Sequence, residues 1–221
     1  MLHYTGLPDG KAALRQLCDP ATEVSAHYLV FEDGSVAQLV PESRRAWHAG
    51  KGMWAGESDM NDVSIGIEIA NAGHRGGLPE YPLAQIETVI ALCRDIIGRW
   101  RIRPERVLAH SDVSHGRKID PGEHFPWWRL AKAGIGLYVP PAAIEDGPRL
   151  EPGASGPEVL ELQTLLSGYG YALETTGLYD ARTESSINAF QRHYRQLRVD
   201  GIADRSTIAT LRRLIAALGK G

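Results

Sequence analysis

The seven-residue stretch Ser64-Ile65-Gly66-Ile67-Glu68-Ile69-Ala70 alternates isoleucines with small residues and one carboxylate. Successive side chains of a β-strand point to opposite faces of the sheet, so this alternation predicts a strand with Glu68 on the face opposite the isoleucines. A carboxylate on an apolar strand is costly unless it is paired or used. Glu68 is therefore a candidate functional residue.

Helices and further strands are predicted on both sides of this strand. Residues 82–100 carry apolar side chains at a period near 3.6 and predict the longest helix, and residues 9–18 have helical spacing as well. Residues 24–40 predict the two strands of a hairpin, and two more strands are predicted at residues 2–5 and 107–109. This mixture predicts an α/β (α+β) domain, with a mixed β-sheet flanked by helices.

A proline-rich stretch separates this region from the tail of the chain. Residues 138–157 hold five prolines and no periodicity, which is typical of a linker. We place the domain boundary near residue 149. The first domain then covers residues 1–149, including the linker at about 138–149, and the second covers residues 150–221.

Three short helices are predicted in the second domain. Two similar segments each contain an aspartate, Asp180 or Asp204, in position to cap a following helix. Another helix is expected to begin at Pro157, because proline is favoured in the first turn. The tail is therefore predicted to be a C-terminal three-helix bundle without catalytic residues.

Composition limits the partners of the chain. Of the 221 residues, 43% are apolar, which is enough for one substantial core and a smaller one. A net charge of −3, with both signs interspersed, argues against nucleic acid as a partner, and no apolar stretch is long enough to span a bilayer. Cys18 and Cys93 are predicted to be buried thiols. Because the sequence begins inside a predicted strand, we expect further residues upstream, so this N-terminus does not reveal the localisation.

The densest group of candidate chemical side chains lies at residues 109–122, and a loop is predicted at residues 110–122, directly after a strand. His3, His27 and His48 lie elsewhere, beside apolar or aromatic residues. A zinc hydrolase uses three protein ligands, commonly histidine and carboxylate, and keeps one position open for water. Spacing alone does not choose among these histidines, and any one of them could be an ordinary structural residue.

Four segments in order between residues 2 and 128 form a pattern that is more specific than any one of them. They are Leu2-His3-Tyr4-Thr5, Arg45-Ala46-Trp47-His48-Ala49-Gly50, Asn61-Asp62-Val63-Ser64-Ile65-Gly66-Ile67-Glu68 and Gly116-Arg117-Lys118-Ile119-Asp120-Pro121-Gly122. Together they resemble the type-2, zinc-dependent N-acetylmuramoyl-L-alanine amidases of the AmpD and AmiD branch. The resemblance implies hydrolysis of the amide bond between N-acetylmuramic acid and L-alanine in peptidoglycan or muropeptides.

The same resemblance implies roles for individual residues. It places one Zn²⁺ per chain on His3, His110 and Asp120, and it makes Glu68 and Lys118 the catalytic pair. Glu68 would act as the general base, and the ammonium of Lys118 would stabilise the oxyanion.

Further histidines and aromatic residues in the matching segments are candidates for substrate contact. For His27 and Trp47 a purely structural role is an equal alternative. The substrate-binding candidates are His27, Trp47, His48 and Asn61, and the remaining histidines, His74, His115, His124 and His193, are predicted to be surface or loop residues.

The tail resembles the three-helix peptidoglycan-binding domain over residues 151–216, through segments at residues 156–163, 183–191 and 199–202. Such a domain is expected to tether the enzyme to the wall without touching the chemistry. The expected partner is peptidoglycan or a muropeptide, and a monomer is expected. The substrate favours the periplasm or the outside of the cell, with the cytoplasm as the alternative.

Two other functions compete with this interpretation. A non-catalytic peptidoglycan-recognition protein would need no catalytic set, and the presence of all five implied metal and catalytic residues argues against it. A zinc peptidase of another fold is disfavoured, because no His-Glu-x-x-His sequence occurs.

Overall fold

The computed structural model describes residues 1–218. Four short strands, Leu2–Tyr4 (β1), Tyr28–Val30 (β2), Val36–Gln38 (β3) and Ile67–Ile69 (β4), form one sheet. The strand order is β1-β4-β2-β3, with β4 parallel to both β1 and β2 and with β3 antiparallel to β2. The predicted mixed sheet and the predicted hairpin are therefore confirmed.

Seven α-helices accompany the sheet within the described residues. Before residue 138 they are Gly10–Cys18 (α1), Leu83–Trp100 (α2), His110–Val113 (α3) and Trp127–Lys132 (α4), and in the tail they are Pro157–Tyr169 (α5), Ala181–Tyr194 (α6) and Arg205–Ala217 (α7). As predicted, α2 is the longest. Single 3₁₀ turns lie at Pro20–Thr22, His74–Gly76 and Pro104–Arg106.

The two faces of the sheet have different partners. Ile67 and Ile69 of β4 share a buried core with Ile86 and Val89 of α2. Because side chains alternate along a strand, Glu68 points to the opposite face, as predicted. The register of β1 and β4 pairs His3 with Glu68 on that face.

Two predictions for residues 107–122 are wrong. Residues 107–109 do not form a strand but touch the sheet through a single bridge, in which the N–H of Leu2 donates to Leu108 O at 2.9 Å. Residues 110–113 are the helix α3 and not a loop. The side chain of Asp112 accepts from the N–H of Ala109 at 2.8 Å, a contact that satisfies a free donor at the start of a helix.

The tail helices begin where the sequence predicts. Asp180 and Asp204 accept hydrogen bonds from the N–H groups of Thr183 at 2.8 Å and Thr207 at 2.7 Å, and α5 begins at Pro157. Residues 138–149 contain no helix or strand. The placing of the domain boundary near residue 149 remains a prediction.

The tail and the first region share one hydrophobic core. Trp54, Met60 and Val113 belong to the same buried cluster as residues of α5, α6 and α7. The indole of Trp54 lies edge-on against the rings of Tyr169 at 5.5 Å and Tyr171 at 4.9 Å. The two regions are therefore packed together and not merely linked.

The cysteine prediction is half right. Cys93 lies on the buried face of α2, in the core, whereas Cys18 is exposed. Only Gly10 and Ala13 of α1 are buried, and Cys18 at the end of this helix is accessible to solvent. Among residues 1–218, no helix combines the length and apolar character needed to cross a membrane.

Candidate metal centre and catalytic cavity

Three buried side chains converge beside the sheet, from β1, from the first residue of α3 and from the segment after α3. His3 Nδ1 lies 2.9 Å from His110 Nδ1 and 3.0 Å from Asp120 Oδ2, and His110 Nδ1 lies 2.9 Å from the same carboxylate oxygen. One ligand atom from each residue lies within 4.8 Å of the others. Two imidazole nitrogens and one carboxylate oxygen form a donor set that suits zinc.

The second ring nitrogen of each histidine is also engaged. His110 Nε2 donates to the carbonyl of Ala49 at 3.0 Å, and His3 Nε2 lies 3.0 Å from His48 Nδ1. Metal-binding histidines are usually oriented in this way through the nitrogen that does not bind the metal. Both Nδ1 atoms are thereby directed into the cluster, so the orientation of the rings fits a bound zinc ion.

Burial and neighbouring charges set the protonation of the cluster. Burial, reinforced by the nearby His110, lowers the pKa of His3 to about 3. Burial opposes ionisation of Asp120, but the adjacent His110 and His3 outweigh it and hold the pKa of Asp120 below its usual range. A neutral imidazole and an ionised carboxylate are the forms that bind metals.

Glu68 lies beside the cluster on β4. Its Oε2 atom is buried and has no hydrogen-bond partner among the described residues. Burial and the like charge of Asp120 raise the pKa of Glu68 well above its usual range, while Lys118 acts in the opposite direction. A carboxylate with a free oxygen and a raised pKa is suited to accept a proton from water.

A cavity of about 200 Å³ opens onto these residues. The side chains of Glu68, Lys118, His110 and Asp120 all line it. The remaining walls come from the end of β1 and the segment after it, from α1 and from two loops: Tyr4, Thr5, Leu7, Ala13, Gln16, Leu17, Val24, Ser25, Trp47 and His48.

Of the four candidates for substrate contact, two reach this cavity. Trp47 stands at its rim with 52% of its surface exposed, and the buried His48 lies deeper, against His3. The exposed indole offers a broad apolar surface to a ligand, and its exposure removes the alternative that Trp47 belongs to the core.

The other two candidates, His27 and Asn61, do not line the cavity. Their side chains form hydrogen bonds with backbone groups instead. His27 Nδ1 accepts from the N–H of Gly66 at 3.0 Å, and its Nε2 donates to the carbonyl of Arg44 at 3.0 Å. Asn61 Oδ1 accepts from the N–H groups of residues 48 and 49 at 3.0 and 2.8 Å. These contacts shape the walls around the cluster, and they favour the structural alternative for His27.

The prediction for His193 is wrong. The side chain of His193 is only 2% exposed and contacts Asp112 of α3. In contrast, His74, His115 and His124 are partly or fully exposed, as predicted. Sequence reasoning gave no role to Asp112. Its place three residues after Ala109, at the start of a helix, is the signal that could have identified it as a capping carboxylate.

Comparisons with known proteins identify the family. Residues 1–123 match the family described as N-acetylmuramoyl-L-alanine amidase. The chain belongs to the N-acetylmuramoyl-L-alanine amidase family. Residues 155–211 of the amidase match the family described as putative peptidoglycan binding domain.

Relatives of the amidase cover both regions. N-acetylmuramoyl-L-alanine amidase AmiD of Escherichia coli (strain K12) is 36% identical over 232 residues, which cover 100% of this chain and 83% of AmiD. The 1,6-anhydro-N-acetylmuramyl-L-alanine amidase AmpD of Enterobacter cloacae is 41% identical over 107 residues, which cover 48% of this chain and 55% of AmpD. The resemblance to the AmpD and AmiD branch is therefore confirmed.

Solved structures of relatives match the fold of the amidase. Escherichia coli AmiD, in complex with the substrate anhydro-N-acetylmuramic acid-L-Ala-D-gamma-Glu-L-Lys, matches with a TM-score of 0.83 and 36% identity, covering 100% of this chain and 89% of that one. AmpDh3 from Pseudomonas aeruginosa, in complex with anhydromuramic pentapeptide, matches with a TM-score of 0.79 and 32% identity, covering 96% and 88%. The predicted fold class is confirmed. The family is zinc-dependent in general, and the His3, His110 and Asp120 cluster is suited to a metal ion.

Proposed function

We propose that this amidase hydrolyses the amide bond between N-acetylmuramic acid and L-alanine in peptidoglycan or muropeptides, with one Zn²⁺ held by His3, His110 and Asp120. One observation carries the proposal. Three buried ligand atoms converge within 4.8 Å, beside the buried and unpartnered Oε2 of Glu68. The alternative of a non-catalytic recognition protein gives no reason for this arrangement.

The metal ion and the residues around the cluster have separate roles in the hydrolysis. A zinc ion held by His3, His110 and Asp120 would supply Lewis acidity, which would polarise the amide carbonyl and lower the pKa of water towards neutrality. Glu68 accepts the proton of the attacking water and returns it to the leaving nitrogen of L-alanine. The ammonium of Lys118 stabilises the charge that develops on the carbonyl oxygen. The raised pKa of Glu68 suits a group that must hold a proton between two steps.

The reaction product tests the proposal directly. We expect the purified protein to contain one zinc per chain and to release from a soluble muropeptide a peptide with a free L-alanine amino group. Chelation of the zinc should abolish this release, and added zinc should restore it. Metal analysis and mass spectrometry measure both. A protein that binds the muropeptide and leaves it intact would be a recognition protein, and that result would contradict the proposal.

Lys118 can be tested separately from the metal. Lys118→Met should lower kcat about 10²- to 10³-fold, the usual cost of losing one donor to an oxyanion. Zinc content should not change, because Lys118 is not one of the three clustered ligands. Lys11→Met is the matched control, since Lys11 is exposed and does not line the cavity. If zinc is lost together with activity in Lys118→Met, the residue has a structural role instead.

The tail supports action on polymeric substrate. A peptidoglycan-binding region at residues 155–211 raises the local concentration of wall material around the cavity. We infer that the enzyme works as a monomer in the cell envelope, in the periplasm or outside the cell. Light scattering and fractionation of cells that express the natural protein measure these two properties.

A further inference from the structure

The helix α3 is too short to be stable without contacts to the rest of the protein. It has four residues, and isolated helices of fewer than roughly 12–15 residues are marginal in water. It nevertheless begins with His110, and the N–H of its second residue, Ser111, donates to the carbonyl of Asp120 at 3.0 Å. Whatever fixes α3 therefore fixes two of the three clustered side chains.

Asp112, the third residue of α3, connects this helix to the tail. Its carboxylate is fully buried, at 0% exposure, and accepts three hydrogen bonds. The donors are the N–H of Ala109 at 2.8 Å, the hydroxyl of Tyr171 at 2.8 Å and Nδ1 of His193 at 2.7 Å. A buried carboxylate is tolerated only when its acceptor sites are satisfied. Two of these three donors belong to the tail.

The two donors from the tail are themselves held by packing. His193 stacks between Trp127, with ring centroids 3.7 Å apart, and Tyr194, at 3.9 Å. Tyr171 lies edge-on against Trp54 at 4.9 Å. Side chains locked in this way restrict the carboxylate, and with it α3, to one arrangement.

We propose that His193 and Tyr171, acting through Asp112, are positioning residues for His110 and Asp120. The peptidoglycan-binding region then completes the metal centre in addition to holding the wall. None of the three touches the substrate cavity. This inference rests on the proposed function, because it takes the clustered side chains to be the metal ligands.

Removal of one hydroxyl tests the inference in the full-length protein. Tyr171→Phe keeps the ring against Trp54 but deletes the bond to Asp112. Tyr179→Phe is the matched control, because the Tyr179 hydroxyl is also buried in the tail but donates to the carbonyl of Gly201 at 2.6 Å. We expect Tyr171→Phe to weaken zinc binding about tenfold, the lower end of the range for groups that support metal ligands, and Tyr179→Phe to bind zinc as the wild type does. Competition with a chelator of known affinity measures this.

A pair of substitutions at His193 provides an independent test. His193→Asn can place an amide N–H where Nδ1 lies, whereas His193→Leu cannot donate. The asparagine variant should bind zinc more tightly than the leucine variant. Thermal unfolding of the zinc-free proteins shows whether either is merely less stable.

The outcomes separate this inference from the proposed function. Unchanged zinc affinity in Tyr171→Phe and His193→Leu, with or without a lower Tm, would overturn the positioning role alone. A wild-type protein that binds no zinc would contradict the metal centre itself, and the inference would fall with it.

Discussion

Glu68→Gln will lower kcat about 10²- to 10⁴-fold, the range expected when a general base is lost. Glutamine has the same size as glutamate but cannot accept a proton at neutral pH. The zinc content should remain at one per chain, because Glu68 is not among the three clustered ligands. Substrate affinity should change much less than turnover, since the carboxylate acts in the transition state.

The stability of the same variant makes the test sharper. Burial raises the pKa of Glu68, so its ionised form costs folding free energy at pH values above the pKa of an unfolded glutamate. Glutamine removes that cost, and the zinc-free variant should unfold at the wild-type temperature or above it. Glu87→Gln, on the exposed face of α2, is the control and should leave kcat unchanged. Near-wild-type turnover in Glu68→Gln, or inactivity explained by loss of zinc, would refute the assignment.

Removal of residues 150–221 will prevent the remaining chain from folding stably. Truncation uncovers Trp54, which is 1% exposed in the whole protein, and takes two of the three donors from the buried carboxylate of Asp112. Exposing a large apolar side chain costs about 1.5–3 kcal/mol, and each lost hydrogen bond to a charged group costs about 1.5–3 kcal/mol. These losses are comparable to a total stability of about 5–15 kcal/mol.

Circular dichroism, thermal unfolding and turnover of a soluble muropeptide will measure this result. The matched control keeps the tail in place but breaks the covalent connection, through a protease site inserted at the exposed residues 145–147. The nicked protein should keep its fold and its activity. A truncated protein that unfolds close to the wild-type temperature and turns over the soluble substrate normally would support the simple tether expected from the sequence.

Periodic patterns predicted the parts of the fold that depend on local burial. The alternation at residues 64–70 gave both the strand β4 and the direction of Glu68, and the spacing at residues 82–100 gave α2. Side-chain capping at Asp180 and Asp204 is also a local effect and was equally predictable. The metal-binding candidates were different, because His3 and His110 are 107 residues apart and only the family resemblance joined them.

The junction between the two regions could not be predicted from local patterns. His193 is a polar residue on a helix, which usually indicates a solvated position, but stacking and the contact with Asp112 bury it. Residues 107–109 are apolar and extended, yet a strand needs a regular ladder, and only one bridge forms there. Both outcomes depend on which distant segments meet.

The register between β1 and β4 fixes two residues of the candidate metal centre and catalytic cavity more firmly than the others. His3 and Glu68 are opposite each other in a parallel ladder, so backbone hydrogen bonds fix their separation, and a slip of one residue would turn either side chain to the other face. His110, Lys118 and Asp120 lie on or after α3, outside that ladder. Protein engineering that aims at a new stem peptide or another metal can therefore vary the residues on and after α3. The positions of His3 and Glu68 stay fixed by the two strands.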